Sequence, residues 1–182
     1  MAEPAVKKLA TIEPRIKTRW RAFELRPEPV PTLDPEGDYL KSAWKNHVYP
    51  LASKMKINMK RPPVQPRSRL AHEAAKWAET YNRFEEYHLA VFRAFFEHGE
   101  DIGDIEILKG IASDLQLDAD ALHASLQNGD YTAMVLADEQ ESRQVGVRAV
   151  PAFVVNGRVL AAGVQSEERL RELLNYATNS KD

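Results

Sequence analysis

The sequence predicts an α/β protein in which a small sheet domain carries a large all-helical insertion. Residues 146–163 hold two short apolar runs around Asn156-Gly157, and Pro151 opens the first run. Asn-Gly supplies the positive φ angles of a type I′ turn, which predicts a β-hairpin. Residues 16–25 alternate apolar and polar side chains, which predicts a third strand. The segment between these features has helical periodicity, which predicts the insertion.

Composition narrows the class of protein. A hydrophobic content of 43% and a charged content of 29% are typical of soluble globular chains. No apolar run approaches the ~20 residues that span a bilayer, and residues 1–8 lack the features of a signal peptide. A formal net charge of -2 argues against a nucleic-acid partner. We therefore expect a cytoplasmic protein without a membrane or nucleic-acid partner.

Cysteine and histidine usage limits the chemistry. The sequence contains no cysteine, which excludes disulfides, thiolate catalysis and cysteine-ligated metals within these residues. The histidines show no ligand-spaced pair with a third partner, so we expect neither a metal nor a cofactor. They are His47, His72, His88, His98 and His123.

The pattern also predicts the order of elements. Helices are expected over residues 3–11, 38–51, 70–80, 82–95, 104–115, 119–126 and 132–144, with a last helix after Ser166. Asp104, Asp118 and Ser166 are the expected N-caps, and Asn82 with Glu85 resembles a capping box. Pro50 is expected to kink or stop its helix. Residues 1–37 and 143–182 then form an incomplete sheet domain, and 38–142 an inserted helical domain.

Some side chains have two interpretations. The aromatic residues at helical spacing either pack in the core, which we favour, or line a substrate pocket; they are Trp44, Trp77, Tyr81, Phe84 and Phe95. His88 lies on the same apolar stripe and is expected in the core. Glu139 and Glu141 are expected to be solvated.

Four stretches resemble successive landmarks of the DsbA-like thioredoxin-fold oxidoreductases. They are Trp-Arg-Ala-Phe-Glu-Leu-Arg-Pro at 20–27, residues 92–102, residues 146–151, and Gly-Val-Gln at 163–165. They occur in the family's order and at its separations, with most similarity to the cytoplasmic FrnE-like branch. The resemblance covers residues 3–178 and implies a thioredoxin-like fold with a DsbA-type helical insertion. Related glutathione-dependent isomerases and kappa-class transferases usually carry an acidic residue where this chain has Val164-Gln165.

The resemblance implies a site at the start of the hairpin. In the family, a cis-proline loop faces a Cys-x-x-Cys pair, whose first thiol has a pKa lowered by a helix N-terminus. Here the loop corresponds to Val150-Pro151, so we expect a cis bond there. We also expect an extended substrate to bind the backbone of Ala149, Val150 and Pro151. Residues 2–10 resemble the family's helical segment directly after the second cysteine, so the first strand and the redox motif are missing from this chain.

Two explanations of that departure are open. Either the start codon is assigned too far downstream, which we favour, or the chain is a short, non-redox form. Without the central strand, backbone edges would be unpaired, so a short form should be marginally stable, dimeric through swapping, or rearranged. By resemblance the chain is a thiol-disulfide oxidoreductase or isomerase that is redox-inactive as it stands. The alternatives are a glutathione-dependent isomerase or transferase, and a non-catalytic module that binds an extended peptide.

Overall fold

The computed structural model describes residues 1–179 and divides the chain into two compact units. One unit comprises residues 1–25 and the chain from 138 onward, and the other comprises residues 26–137. The sequence predicts domain boundaries at residues 38 and 142. That the two parts are independent domains stays a prediction. No described helix is both long enough and apolar enough to cross a bilayer.

The first unit packs two terminal helices and a hairpin around one apolar cluster. Its elements are α1 (Glu3–Ile12), β1 (Ala152–Val155), β2 (Arg158–Ala162) and α9 (Glu167–Asn179). Val6 and Leu9 of α1 are buried against Leu170 of α9, and Phe153 of β1 packs on this cluster. Burying these side chains stabilises the unit by roughly 1.5–3 kcal/mol each.

The predicted β-hairpin is confirmed. β1 and β2 pair antiparallel, with Ala152 opposite Ala162 and Val155 opposite Arg158. Asn156 and Gly157 have φ values of 50° and 73°, the positive pair that a type I′ turn requires. The register shifts between Phe153 and Val154, which marks a β-bulge.

The strand predicted over residues 16–25 is wrong. Within the described residues this segment pairs with no strand. Instead, the N–H of Ala22 donates to Oδ2 of Asp138 at 3.1 Å, and the N–H of Glu24 donates to Oε1 of Glu139 at 3.4 Å. The alternation matches burial only at its end, where Ala22 and Glu24 are buried, whereas Thr18 is exposed. Carboxylates of a helix, rather than a neighbouring strand, satisfy the N–H groups at these two positions.

The second unit is built from helices. They are α2 (Asp38–Ala43), a π-helical turn (Trp44–Val48), α3 (Tyr49–Lys54), α4 (Arg69–Thr80), α5 (Phe84–Arg93), a second π-helical turn (Ala94–His98), α6 (Ile105–Asp114) and α7 (Ala119–Asn128). The next helix, α8 (Thr132–Gln144), begins in this unit and ends in the first. Tyr87, Leu108 and Leu122 are fully buried in the core of the second unit.

Side chains in this unit largely follow the core interpretation. Trp44 and Trp77 are buried, and the ring of exposed Tyr81 lies 4.7 Å from that of Trp77. His88 is half-buried, with its ring 5.2 Å from the ring of Phe84. The core prediction is therefore confirmed for Trp44 and Trp77 and wrong for Tyr81, whereas Phe84 and Phe95 are partly buried.

The three predicted N-caps, Asp104, Asp118 and Ser166, are confirmed. Asp104 accepts from the N–H of Glu106 at 2.8 Å, and Asp118 accepts two N–H groups of α7. Ser166 Oγ accepts from the N–H of Arg169 at 3.2 Å at the start of α9. These acceptors satisfy N–H groups that have no partner inside the helix.

The predicted break after α4 is confirmed, but the capping box at Asn82 is wrong. Asn82 has a φ of 56°, and the N–H of Arg83 donates to the carbonyl of Ala78 while the N–H of Asn82 donates to that of Glu79. This is the Schellman pattern, in which a left-handed residue ends a helix. Asn82 therefore terminates α4 instead of starting α5.

Pro50 does not stop its helical segment, contrary to one of the two outcomes predicted for it. It lies in the first turn of α3, directly after the π-helical turn at Trp44–Val48. Proline has no N–H and its ring crowds the carbonyl four residues earlier, so a widened turn before it relieves both conflicts. The helical path continues through Pro50 to Lys54.

Candidate functional site

The loop between α8 and β1 carries the predicted site residues. α8 ends where Gly146 takes a φ of 87°; the N–H of Gly146 donates to the carbonyl of Arg143, and that of Val147 to the carbonyl of Ser142. This Schellman ending fixes the direction in which the chain leaves the helix. The side chain of Val147 is buried just beyond it.

The Ala149-Val150-Pro151 segment, here called the corner, lies at the entrance to β1. The Val150–Pro151 peptide bond is cis. The carbonyl of Pro151 accepts a hydrogen bond from the N–H of Gly163 at 2.8 Å, which ties the corner to the far end of β2. Of the three predicted site residues, Pro151 is therefore held by the hairpin, and Ala149 and Val150 precede it in the chain.

The backbone of the corner is open to a ligand. Ala149 is exposed and Val150 is 43% exposed. Within residues 1–179, neither the N–H nor the C=O group of Ala149 or Val150 makes a hydrogen bond to protein. Each of these residues thus offers one donor and one acceptor, the same groups that an edge strand offers to an added peptide.

The side chain of Gln165 is engaged by the hairpin. Its amide nitrogen donates to the carbonyl of Ala162 at 3.1 Å and to that of Gly163 at 3.3 Å. An amide at this position brings no negative charge next to the corner. Its hydrogen-bonding nitrogen is already used to close the end of β2.

Sequence reasoning missed a pair of buried carboxylates on α8. Asp138 Oδ1 lies 2.5 Å from Nη1 of Arg21, and Glu139 Oε2 lies 2.9 Å from Nη2 of Arg143. The prediction that Glu139 is solvated is wrong, because it is 1% exposed. Glu141 is solvated as predicted and pairs with the other nitrogen of Arg21 at 2.7 Å. The carboxylates of Asp138 and Glu139 accept hydrogen bonds from the N–H groups of Ala22 and Glu24. We call these four groups the carboxylate clamp.

The corner presents hydrogen-bonding groups rather than a nucleophile. The 182 residues contain no cysteine. Across the part of the chain that the structure covers, no group of three or more histidine, aspartate or glutamate side chains is placed to hold a metal ion. What the corner itself offers is hydrogen bonding through the backbone of Ala149 and Val150.

The fold and the corner together define a thioredoxin-like DsbA fold with a helical insertion, as the sequence predicted. A structure from Streptomyces coelicolor, SCO1869, proposed to be a DsbA oxidoreductase, superposes with a TM-score of 0.81 at 20% identity, covering 100% of this chain and 85% of that one. A protein of Nitrosomonas europaea proposed to be a protein disulfide isomerase gives 0.73 at 16% identity, covering 98% and 90%.

Sequence comparison assigns the family. The profile of the DSBA-like thioredoxin domain matches residues 1–175, and the chain belongs to that family. It is also 34% identical over 154 residues to the uncharacterised protein YwbO of Bacillus subtilis, covering 81% of this chain and 77% of YwbO.

Proposed function

We propose that this chain is a FrnE-like, cytoplasmic member of the thiol-disulfide oxidoreductases or isomerases, redox-inactive as it stands, and that it binds an extended peptide at the corner. The open N–H and C=O groups of Ala149 and Val150 carry the proposal. The chain itself is redox-inactive, because none of its 182 residues is a cysteine. Disulfide exchange at the corner would therefore need thiols that these 182 residues do not supply.

Backbone pairing sets the expected affinity and selectivity. Each hydrogen bond contributes about 0.5–1.5 kcal/mol net, and two residues provide up to four groups. The expected dissociation constant is on the order of tens of millimolar to tens of micromolar. Because the groups belong to the backbone, binding should depend on an extended peptide conformation and little on the identity of the peptide side chains.

The glutathione alternative has weaker support. It would be favoured by an acidic group after the hairpin, and this chain has Gln165 there, with its amide bonded to the hairpin carbonyls. Glutathione therefore serves as the comparison ligand in the experiment.

The experiment is a titration followed by the amide NMR signals of the corner. A ten-residue peptide without proline is added to the isotopically labelled chain, and a second peptide of the same sequence is methylated at every backbone nitrogen. We expect saturable shifts at Ala149 and Val150 with the first peptide, little change at Val159 of β2, and at least tenfold weaker binding of the methylated peptide.

Two variants separate the backbone from the side chain. Ala149→Pro deletes one donor and should weaken binding about tenfold, the effect of ~1.4 kcal/mol, whereas Ala149→Ser keeps the donor and should bind like the parent chain. Equal binding of the methylated peptide would refute backbone pairing. Saturable shifts with glutathione and none with peptide would favour the transferase-like alternative instead.

A further inference from the structure

The helical unit separates its charges along the chain. Residues 41–61 contain lysine and arginine and no acidic residue: Lys41, Lys45, Lys54, Lys56, Lys60 and Arg61. In residues 97–130, every charged residue except Lys109 is acidic. The acidic residues are Glu97, Glu100, Asp101, Asp104, Glu106, Asp114, Asp118, Asp120 and Asp130. We call these the basic segment and the acidic segment. The near-neutral charge of the whole chain hides this separation.

Most of the basic segment is unneutralised. It comprises the end of α2, the π-helical turn, α3 and residues 55–61. Lys45, Lys54 and Lys60 are exposed and form no ion pair with any described residue. Lys41 and Arg61 both reach Glu36, at 3.4 and 2.9 Å. The carboxylate of Glu36, which lies outside the basic segment, is thus shared between Lys41 and Arg61. The exposed lysines between these two residues face solvent.

Part of the acidic segment is likewise without ion pairs among the described residues. The acidic segment includes α6 and α7, which pack against each other. Asp114, Asp120 and Asp130 are exposed and form no ion pair with any described residue. Lys109 pairs locally with Glu106 at 3.2 Å. Among the described residues, no ion pair joins the basic segment to the acidic segment, although the N–H of Lys60 donates to the carbonyl of Phe96 at 2.7 Å.

We infer that the acidic segment of a second copy of this chain docks on the basic segment, in a reciprocal contact that forms a homodimer. Charge complementarity supports this partner, because each segment carries the charge that the other lacks. In a two-fold dimer the contact occurs twice, basic to acidic and acidic to basic. A nucleic acid fits less well, because the acidic segment of the same unit would repel its phosphates.

The apolar content of the two segments indicates a weak, salt-sensitive contact. Tyr49 is 43% exposed in the basic segment, with its ring 5.4 Å from that of buried Trp44. The acidic segment exposes no large apolar side chain among the described residues. Exposed charges are screened over about 8 Å at physiological ionic strength, so association should fall steeply as salt increases.

The first test is sedimentation equilibrium of the full chain in 20 mM and 500 mM sodium chloride. We expect a dimer at low salt and at least a tenfold weaker association at high salt. Association that does not change with salt would overturn the proposal, as would a monomer at both concentrations. A monomer that binds heparin would assign the basic segment to polyanions instead.

The second test exchanges the charges. One variant carries Lys45→Glu, Lys54→Glu and Lys60→Glu, and the other carries Asp114→Lys, Asp120→Lys and Asp130→Lys. Neither should dimerise alone, whereas their mixture should dimerise at low salt, because both contacts become attractive again. Failure of the mixture to associate would overturn the proposal.

Milder substitutions guard against misfolding of the reversed variants. Lys45→Gln with Lys54→Gln, and Asp114→Asn with Asp130→Asn, remove charge without reversing it, and circular dichroism verifies that each pair folds. Each pair should weaken dimerisation at low salt at least threefold. Unchanged dimerisation in both would contradict the assignment.

Discussion

Replacing Asp138 with alanine should release residues 20–24 from α8. Asp138 is buried and accepts two hydrogen bonds, from the Arg21 guanidinium at 2.5 Å and from the N–H of Ala22 at 3.1 Å. Alanine leaves the Ala22 N–H without its carboxylate acceptor at a residue that is only 5% exposed. A buried donor without a partner costs about 1–3 kcal/mol.

The ion pair between Asp138 and Arg21 adds less to the free energy lost in Asp138→Ala. The side chain of Arg21 is 36% exposed and retains Glu141 at 2.7 Å, so water and the second carboxylate replace part of what is lost. We assign it about 1 kcal/mol, the upper end of the range for a partly exposed pair. The total for Asp138→Ala is about 2–4 kcal/mol. Asp138→Asn keeps an acceptor oxygen of the same size and should cost about 1–2 kcal/mol.

Hydrogen exchange measured by mass spectrometry on the peptide spanning residues 16–25 is the appropriate assay. A chain of two units need not unfold in a single step, and exchange reports the local stability. We expect Asp138→Ala to speed exchange about 30- to 1,000-fold, and Glu141→Ala to change it less than fivefold. Equal effects of Asp138→Ala and Glu141→Ala would refute the role of the clamp.

Three further predictions concern single side chains. Burial raises the pKa of Tyr87, so above about pH 10 the unfolded chain loses a proton that the folded chain keeps and stability falls by about 1.4 kcal/mol per pH unit; Tyr87→Phe should show a shallower fall in urea midpoints between pH 10 and 11.5. The pKa of Glu168 is lowered by its own backbone N–H and then by the Ser166 hydroxyl, so Ser166→Ala should raise it in an NMR titration. Asp118→Ala should destabilise the chain by about 1–2 kcal/mol in urea unfolding, because Asp118 caps α7, whereas Asp120→Ala should cost under ~0.5 kcal/mol.

Local signals predict most of the fold. The hairpin depends on Asn156-Gly157, and the helix starts at Asp104 and Asp118 depend on side chains that reach N–H groups two or three residues later. Such interactions lie within a few residues of the chain and are therefore visible in the sequence. The family landmarks imply the helical insertion, which periodicity indicates independently.

The errors arise where the partner is distant in the chain. Alternation over residues 16–25 predicts burial at every second position, which occurs only at Ala22 and Glu24. The alternation does not reveal what receives the N–H groups there. Their acceptors, Asp138 and Glu139, are more than one hundred positions away. For the same reason the sequence wrongly predicts that the side chain of Glu139 is solvated. The prediction for Asn82 fails because one residue type can end a helix as well as start one.

The candidate site is partly predictable. Its location depends on Pro151 at the entrance to a hairpin, which the sequence reveals. The open N–H and C=O groups of Ala149 and Val150 cannot be predicted, because they depend on where the hairpin and the Schellman ending of α8 direct the intervening residues.

The carboxylate clamp also bears on how the chain avoids aggregation. A row of free N–H groups on an extended segment is a template for pairing with other chains. In α8, adjacent carboxylates accept from the N–H groups at positions 22 and 24, on one edge of the segment. A helix thereby shields an edge that, in most sheets, another strand would cover. Loss of either carboxylate would leave an N–H group on this edge free to pair with another chain.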